Sequence, residues 1–388
     1  VTLAEELRSA GYWCAAAGKW HLGEAVKDRF DVVHEASMSG FVLPSGPRDA
    51  AAMVARADPS GCGQWVPTLR ARPRDRPFFL WLAAIDPHRA YEPGAFDPPH
   101  DPARVVVPTH LPDTPETRAD LALYYDEIAR LDRHVGLVLA ELAAQDVARD
   151  TLVLFLSDNG RPFPRDKTTL YNGGIKTPWI VRWPALVKAG SVSPSLVSAV
   201  DIAPTFLELA GVGAGPTFQG VSFVPALTDP TAAVREYACA EDHWHDSEDH
   251  GRAVTDGRYK LIRNDYFDLP GTPPADAGRS PTFQVMRRLR DEDRLTAAQR
   301  AVFVQPRPHH ELYDLASDPD EIDNRAEDPA LQAVRRRLEA ALAEWAAVTE
   351  DTIPAVRTPD EFDRETGQPT AARVRPRPSK AEMFPERR

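Results

Sequence analysis

Short, largely apolar runs separated by amphipathic stretches dominate the first two thirds of the chain. The runs at 13–17 (WCAAA), 78–85 (FFLWLAAI), 152–156 (LVLFL) and 179–183 (WIVRW) lack polar alternation and have the length of strands. They predict a sheet covered on both faces. Between them, residues 115–144 place Leu121, Tyr124, Ile128, Leu131, Val135, Val138 and Leu142 mostly three or four positions apart, behind Thr114 as cap and Pro115 at the first helical position. That spacing predicts a long helix packed on the sheet. Leu3, Leu7 and Ala10 before Gly11 predict a short opening helix, and DIAPTFLELAG at 201–211 predicts another that closes on its glycine. Strands alternating with helices are the α/β pattern.

From about residue 235 the pattern changes. VTDGRYKLIR at 254–263, with Asp256-Gly257 at its turn, predicts a hairpin. An irregular Pro- and Arg-rich stretch follows, then a short strand at 311–315 and an amphipathic helix at 329–348 capped by Asp328. The organisation expected is therefore α/β, a large mixed β-sheet sandwiched by helices over 1–234, with a smaller C-terminal α+β domain over 235–350 made of an antiparallel sheet and a terminal helix. Residues 351–388 have no periodicity and are expected to form a disordered tail. No internal repeat occurs.

Composition narrows the function. Lys and Arg total 46 against 58 Asp and Glu, a formal charge of −12, which argues against a nucleic-acid partner. No apolar run reaches the roughly 18 residues of a membrane span. Cys14, Cys62 and Cys239 never form a CxxC pair, so neither a disulfide framework nor a cysteine-rich zinc site is expected.

Three loops follow apolar strands and bring polar groups to one sheet edge, where open α/β folds place their ligands. GKWHLG (18–23) pairs Lys19 with His21. DPHR (86–89) carries Asp86 and His88, and SDNG (157–160) sets the Asp158 carboxylate beside the Asn159 amide, a hard-oxygen pair suited to Ca²⁺ or Mg²⁺. Lys167 lies seven residues after Gly160. Each loop read alone is also an ordinary turn. Taken together they are two lysines, two histidines and an oxygen pair, the equipment that neutralises a tetrahedral oxyanion during transfer. An ester hydrolase acting on an anionic substrate is the class indicated.

The order and wording of AGYWCAAAGKWHLG, PFFLWLAAIDPHR, LYYDEIARLDRHVGLVLAEL, DTLVLFLSDNG, FPRDKTTLYNGGIKTPWIVRWP, DIAPTFLELAG and ELYDLASDPDEIDN resemble the sulfatase family of the alkaline-phosphatase-like superfamily. DPHR, the SDNGxPFP stretch and SPTFQ at 280–284 are similar to its heparan N-sulfatase (sulfamidase)-like bacterial members. The resemblance implies that Asp158 and Asn159 bind Ca²⁺, that Lys19 and His21 face the nucleophile, that His88 sits at the leaving group, and that Lys167, with Asp86, binds substrate. It implies sulfate ester or N-sulfo hydrolysis, with a sulfated sugar as substrate. The family's nucleophile is a formylglycine made by a maturing enzyme from a C-x-P-S-R motif. No such motif occurs in these 388 residues, and the paired aspartates that complete the metal site are absent too. Both are expected on a segment upstream of GKWHLG that this sequence lacks, so the chain as given is expected to be inactive. The alternatives are a phosphoester or phosphonate hydrolase of the same superfamily and a non-catalytic remnant that binds sulfated glycans. EDHWHDSEDH (241–250) reads as an acidic loop at the cleft mouth rather than a transition-metal site, and the basic RVRPRPSK near the C-terminus reads as solvated chain.

Overall fold

The computed structural model describes residues 1–36 and 58–374. After a capped helix α1 (Leu3–Ser9), strand β1 (Trp13–Gly18) lies at the centre of a parallel sheet between β2 (Val32–Glu35) and β3 (Phe78–Ala83). Every residue of β1 is buried, because small alanines allow helices to close on both faces. Helix α2 (Trp65–Ala71) and helix α3 (Pro115–Ala144) cover one of them, with Leu69, Val138 and Leu142 packed around Ala17, Phe78, Leu80 and Leu82. Thr114 caps α3, its hydroxyl accepting from the Thr117 amide. On the other side α1 and α4 (Ile202–Leu209) meet Cys14, Ala16 and Phe79.

The expected mixed sheet is present in two parts. The antiparallel pair of β4 (Val153–Leu156) and β5 (Trp179–Arg182) stands apart from the parallel strands. Among the described residues, no strand pairs with the outer edge of β3 or of β4, and a cleft of about 1790 Å³ is lined by both. Burial follows pairing. The residues of β3 and β4 are apolar yet mostly half-buried, and Trp81 is 43% exposed.

The C-terminal unit is an antiparallel meander of β6 (Ala238–Asp242), β7 (Gly251–Thr255), β8 (Tyr259–Asn264) and β9 (His310–Asp314). The predicted hairpin is β7–β8, and helix α6 (Gln332–Thr349) seals the sheet with Leu338 and Leu342. Two expectations change. The Pro- and Arg-rich stretch contains an eleven-residue helix, α5 (Pro281–Asp291), because Ser280 caps it and Phe283, Val285, Met286 and Leu289 line one buried face. The disordered tail expected from 351 is folded over 351–374. Asp351 pairs with the buried Arg252 at 2.6 Å, Phe362 is buried, and the Arg364 guanidinium donates to Asp360, Pro270 and Thr272. Specific ion pairs and a buried aromatic hold this segment without any hydrophobic period. Residues 375–388, with most of the basic RVRPRPSK stretch, lie outside the described residues.

Candidate active site

Each polar loop is aimed by a local steric device. At the end of β1, Gly18 has φ +108°, and a Cβ there would lie 1.8 Å from the Ala83 carbonyl oxygen. Only glycine permits that approach. The Lys19 amide then donates to the same carbonyl at 2.8 Å, so β1 and β3 end together and release their loops side by side. The buried Trp20 anchors the first loop: its indole N–H donates to the Gly23 carbonyl at 3.0 Å, and its ring meets Phe30 edge-on. His21 is left exposed at the cleft.

In the second loop the buried Arg89 is a clip. Its two terminal nitrogens donate to Asp120 at 2.8 Å each, its Nε donates to the Pro162 carbonyl at 2.8 Å, and it lies 4.5 Å from the ring centres of both Tyr91 and Phe163. Asp120 also accepts from the Thr282 hydroxyl at 2.6 Å. SPTFQ therefore works at a distance: its serine caps α5 and its threonine locks the carboxylate that locks Arg89.

The third loop interlocks with NGG (172–174). The Gly160 amide donates to the Gly174 carbonyl at 2.8 Å, and a Cβ at Gly160 would fall 1.7 Å from the Gly173 oxygen. Lys167 sits between the two motifs, its amide on the Arg161 carbonyl at 3.1 Å beside an Arg161–Asp166 ion pair of 2.6 Å.

The structure thus brings Lys19, His21, His88, Asp158, Asn159 and Lys167 to the wall of one cleft, with Lys176 exposed on the same wall. Its electrostatics are those of crowded bases. Burial, reinforced by Lys167, lowers the Lys19 pKa against the pull of Asp158 and Asp276. Burial and then Lys19 lower that of His21, and burial lowers that of His88. An anion entering the cleft would relieve all three.

Asp86 departs from the substrate-binding expectation. It is buried, and both its oxygens accept from Arg130 at 2.7 Å, so it braces the DPHR turn against α3. The cysteines are free, and burial pushes the thiols of Cys14 and Cys62 up to about 12 and that of Cys239 to about 11, so none is a ready thiolate nucleophile. Asp158 is exposed, and the Asn159 amide nitrogen donates to the Gly160 carbonyl at 2.7 Å, which leaves its oxygen for a cation. These two hard donors fit Ca²⁺ in kind and supply two of the roughly six to eight oxygens it takes. In EDHWHDSEDH, Glu241 and His243 lie near Asp351, but the Arg252 guanidinium reaches both His243 (3.4 Å) and Asp351 (2.6 Å) and its charge opposes a cation there. One residue at the site carried no local signal in the sequence. Asp276, in the helical turn Ala275–Gly278, places its carboxylate 4.0 Å from His88 Nδ1.

A helix-covered α/β layer whose polar loops gather at one strand edge, joined to an antiparallel domain, is the alkaline-phosphatase-like architecture. A protein solved with its substrate D-glucosamine-2-N,6-O-disulfate shares this fold at TM-score 0.61 and 19% identity, covering 91% of this chain and 83% of that one. A phosphonate monoester hydrolase from Silicibacter pomeroyi does so at TM-score 0.64 and 19% identity, covering 94% and 84%. Fold alone therefore does not choose the chemistry. The sulfatase family model matches residues 1–212, more than half of the chain, and the chain belongs to the sulfatase family. The model of the N-sulphoglucosamine sulphohydrolase C-terminal region matches residues 163–270. Similar proteins include the N-sulphoglucosamine sulphohydrolase of Homo sapiens, 34% identical over 325 residues, and an ulvan-active sulfatase of Formosa agariphila, 34% identical over 241 residues. Those alignments cover 74% and 62% of this chain, but only 63% and 40% of the two relatives.

Proposed function

We propose that this chain carries the sulfate-binding and leaving-group machinery of a calcium-dependent sulfatase acting on sulfate esters or N-sulfo groups of a sulfated sugar. The observation that carries this reading is the convergence of Lys19, His21, His88 and Lys167 beside Asp158 and Asn159 in one cleft. The likeness to an N-sulphoglucosamine sulphohydrolase supports an N-sulfated sugar. Lys19 and Lys167 hold sulfate oxygens and offset the charge that grows on them in the transition state. His88, when protonated, gives its proton to the departing oxygen or nitrogen, and His21 serves the nucleophile side. Asp158 and Asn159 would hold Ca²⁺, which supplies further charge neutralisation at the sulfate. Residues 1–388 contain no C-x-P-S-R, so the attacking group is not among them.

The test is binding separated from turnover. Calorimetry with Ca²⁺ present is expected to show inorganic sulfate and N-sulfoglucosamine competing for one site that Lys167→Ala weakens, while no sulfate is released from an aryl sulfate or from N-sulfoglucosamine. Multiple turnover would mean that the nucleophile lies within these residues, and preference for a phosphonate monoester over the sulfated ligands would overturn the substrate class.

A further inference from the structure

The C-terminal half of the chain brings the Asp276 carboxylate up to His88. Asp276 follows Pro273 and Pro274, and its turn is pinned by the acidic loop: the Ala275 amide donates to Asp246 at 2.8 Å, while the Asp246 carbonyl accepts from the Glu361 amide at 3.0 Å. Asp276 Oδ1 accepts from the Ala277 amide at 2.8 Å, and Oδ2 lies 4.0 Å from His88 Nδ1. The Arg89 carbonyl is 2.5 Å from the same nitrogen, and Arg89 is itself immobilised by Asp120. We propose that Asp276 is the positioning residue of the leaving-group imidazole, holding the Nδ1 proton on the Arg89 and Asp276 side of the ring so that Nε2 carries the proton that is transferred. This deepens the reading of His88 as proton donor and rests on it.

The physical need is plain from the groups around the ring. Burial favours the neutral imidazole, Lys19 and Lys167 favour it further, and a general acid must begin as imidazolium. Asp276 is the carboxylate that opposes them. Its counter-charge lets His88 bind a proton at Nε2, lose it to the leaving atom as the sulfur–oxygen or sulfur–nitrogen bond breaks, and return to the neutral form with Nδ1–H kept on the Arg89 carbonyl.

The experiment is a ¹H–¹³C and ¹H–¹⁵N titration of the histidine rings in the full chain, with the His88 signals assigned through His88→Asn. Asp276→Asn is expected to lower the His88 midpoint by about one pH unit and to loosen its Nδ1–H tautomer, Asp276→Glu to restore both, and Asp265→Asn, which removes the carboxylate paired with His250, to leave His88 unchanged. A His88 midpoint and tautomer unaltered by Asp276→Asn would overturn the proposal. Inorganic sulfate, added to the unaltered chain, is expected to raise the His88 midpoint. If it does not, the functional reading of His88 fails and the proposal with it, whereas an intact sulfate response beside an inert Asp276→Asn overturns Asp276 alone.

Discussion

Two groups of basic side chains flank the loop that carries Lys167, and they are built on opposite principles. Behind the loop, Lys260 of β8 is fully buried and fully partnered: its ammonium is 2.8 Å from Glu321 and donates to the Leu170 carbonyl at 3.2 Å and to Asn172 at 2.7 Å. Arg165 joins this set through the Asp320 carbonyl at 2.9 Å and through the face of Tyr171. In front of the loop, Lys19, His21 and Lys167 face one another across the cleft, with Asp158 and Asp276 as the nearby carboxylates. A buried charge is tolerated when it is paired. The rear group is therefore framework that clamps the loop to the C-terminal sheet, and in the function proposed above the front group is a binding site whose balance is completed by an anion.

The largest effect should come from breaking the rear group. Lys260→Ala is expected to cost about 3–5 kcal/mol because it strands the Glu321 carboxylate in the interior, whereas Lys19→Ala should change stability by about 1 kcal/mol or less. Urea unfolding of both variants decides this, and similar losses would remove the distinction between the two groups. Lys260→Met combined with Glu321→Leu should recover most of the loss.

Next in size is anion affinity. A charge-assisted contact contributes about 1.5–3 kcal/mol, so Lys167→Ala is expected to weaken sulfate binding about ten- to a hundredfold. Lys176, exposed at the entry to β5, should change it by less than about threefold on removal, since exposed charges are well screened. Calorimetric Kd values for the two variants test the assignment, and the reverse order would move the sulfate pocket to Lys176.

The smallest effect is a pH dependence confined to the front group. The folded pKa values of His21 and His88 lie below the ordinary imidazole value, so between about 6.5 and those lower values the unfolded chain holds more protons than the folded one. Stability supplied by these residues is fully present above that range and is lost as pH falls through it. Thermal unfolding at pH 7.5 and 5.5 should show a smaller acid-side loss of stability in a His21→Asn, His88→Asn double variant than in the unaltered chain. Sulfate should shrink it too by raising the folded values. A drop identical in all three conditions would place the pH sensitivity elsewhere.

The sequence by itself determined β1, β3, β4, β5 and β9, the long helix with its Thr114 cap, the β7–β8 turn at Asp256-Gly257 and the three polar loops, but not β2 or β6. These rest on local rules: apolar runs, 3.6-residue spacing, capping hydroxyls and turn residues act over a few positions. It also put forward Lys19, His21, His88, Asp158, Asn159 and Lys167 as candidates, since each follows the end of a recognisable strand or loop, and the fold gathers them at one cleft. What only the tertiary structure decided depends on partners far away in the chain. Asp86 looks like a site residue until Arg130, 44 positions on, takes both its oxygens. SPTFQ has no evident use until Thr282 meets Asp120, 162 positions earlier. Residues 351–374 read as tail because ion pairs and a single buried phenylalanine leave no period in sequence, and Asp276 is an ordinary loop acid until folding carries it to His88. Burial and pairing of charge are properties of assembled layers, so they become legible only when the layers meet.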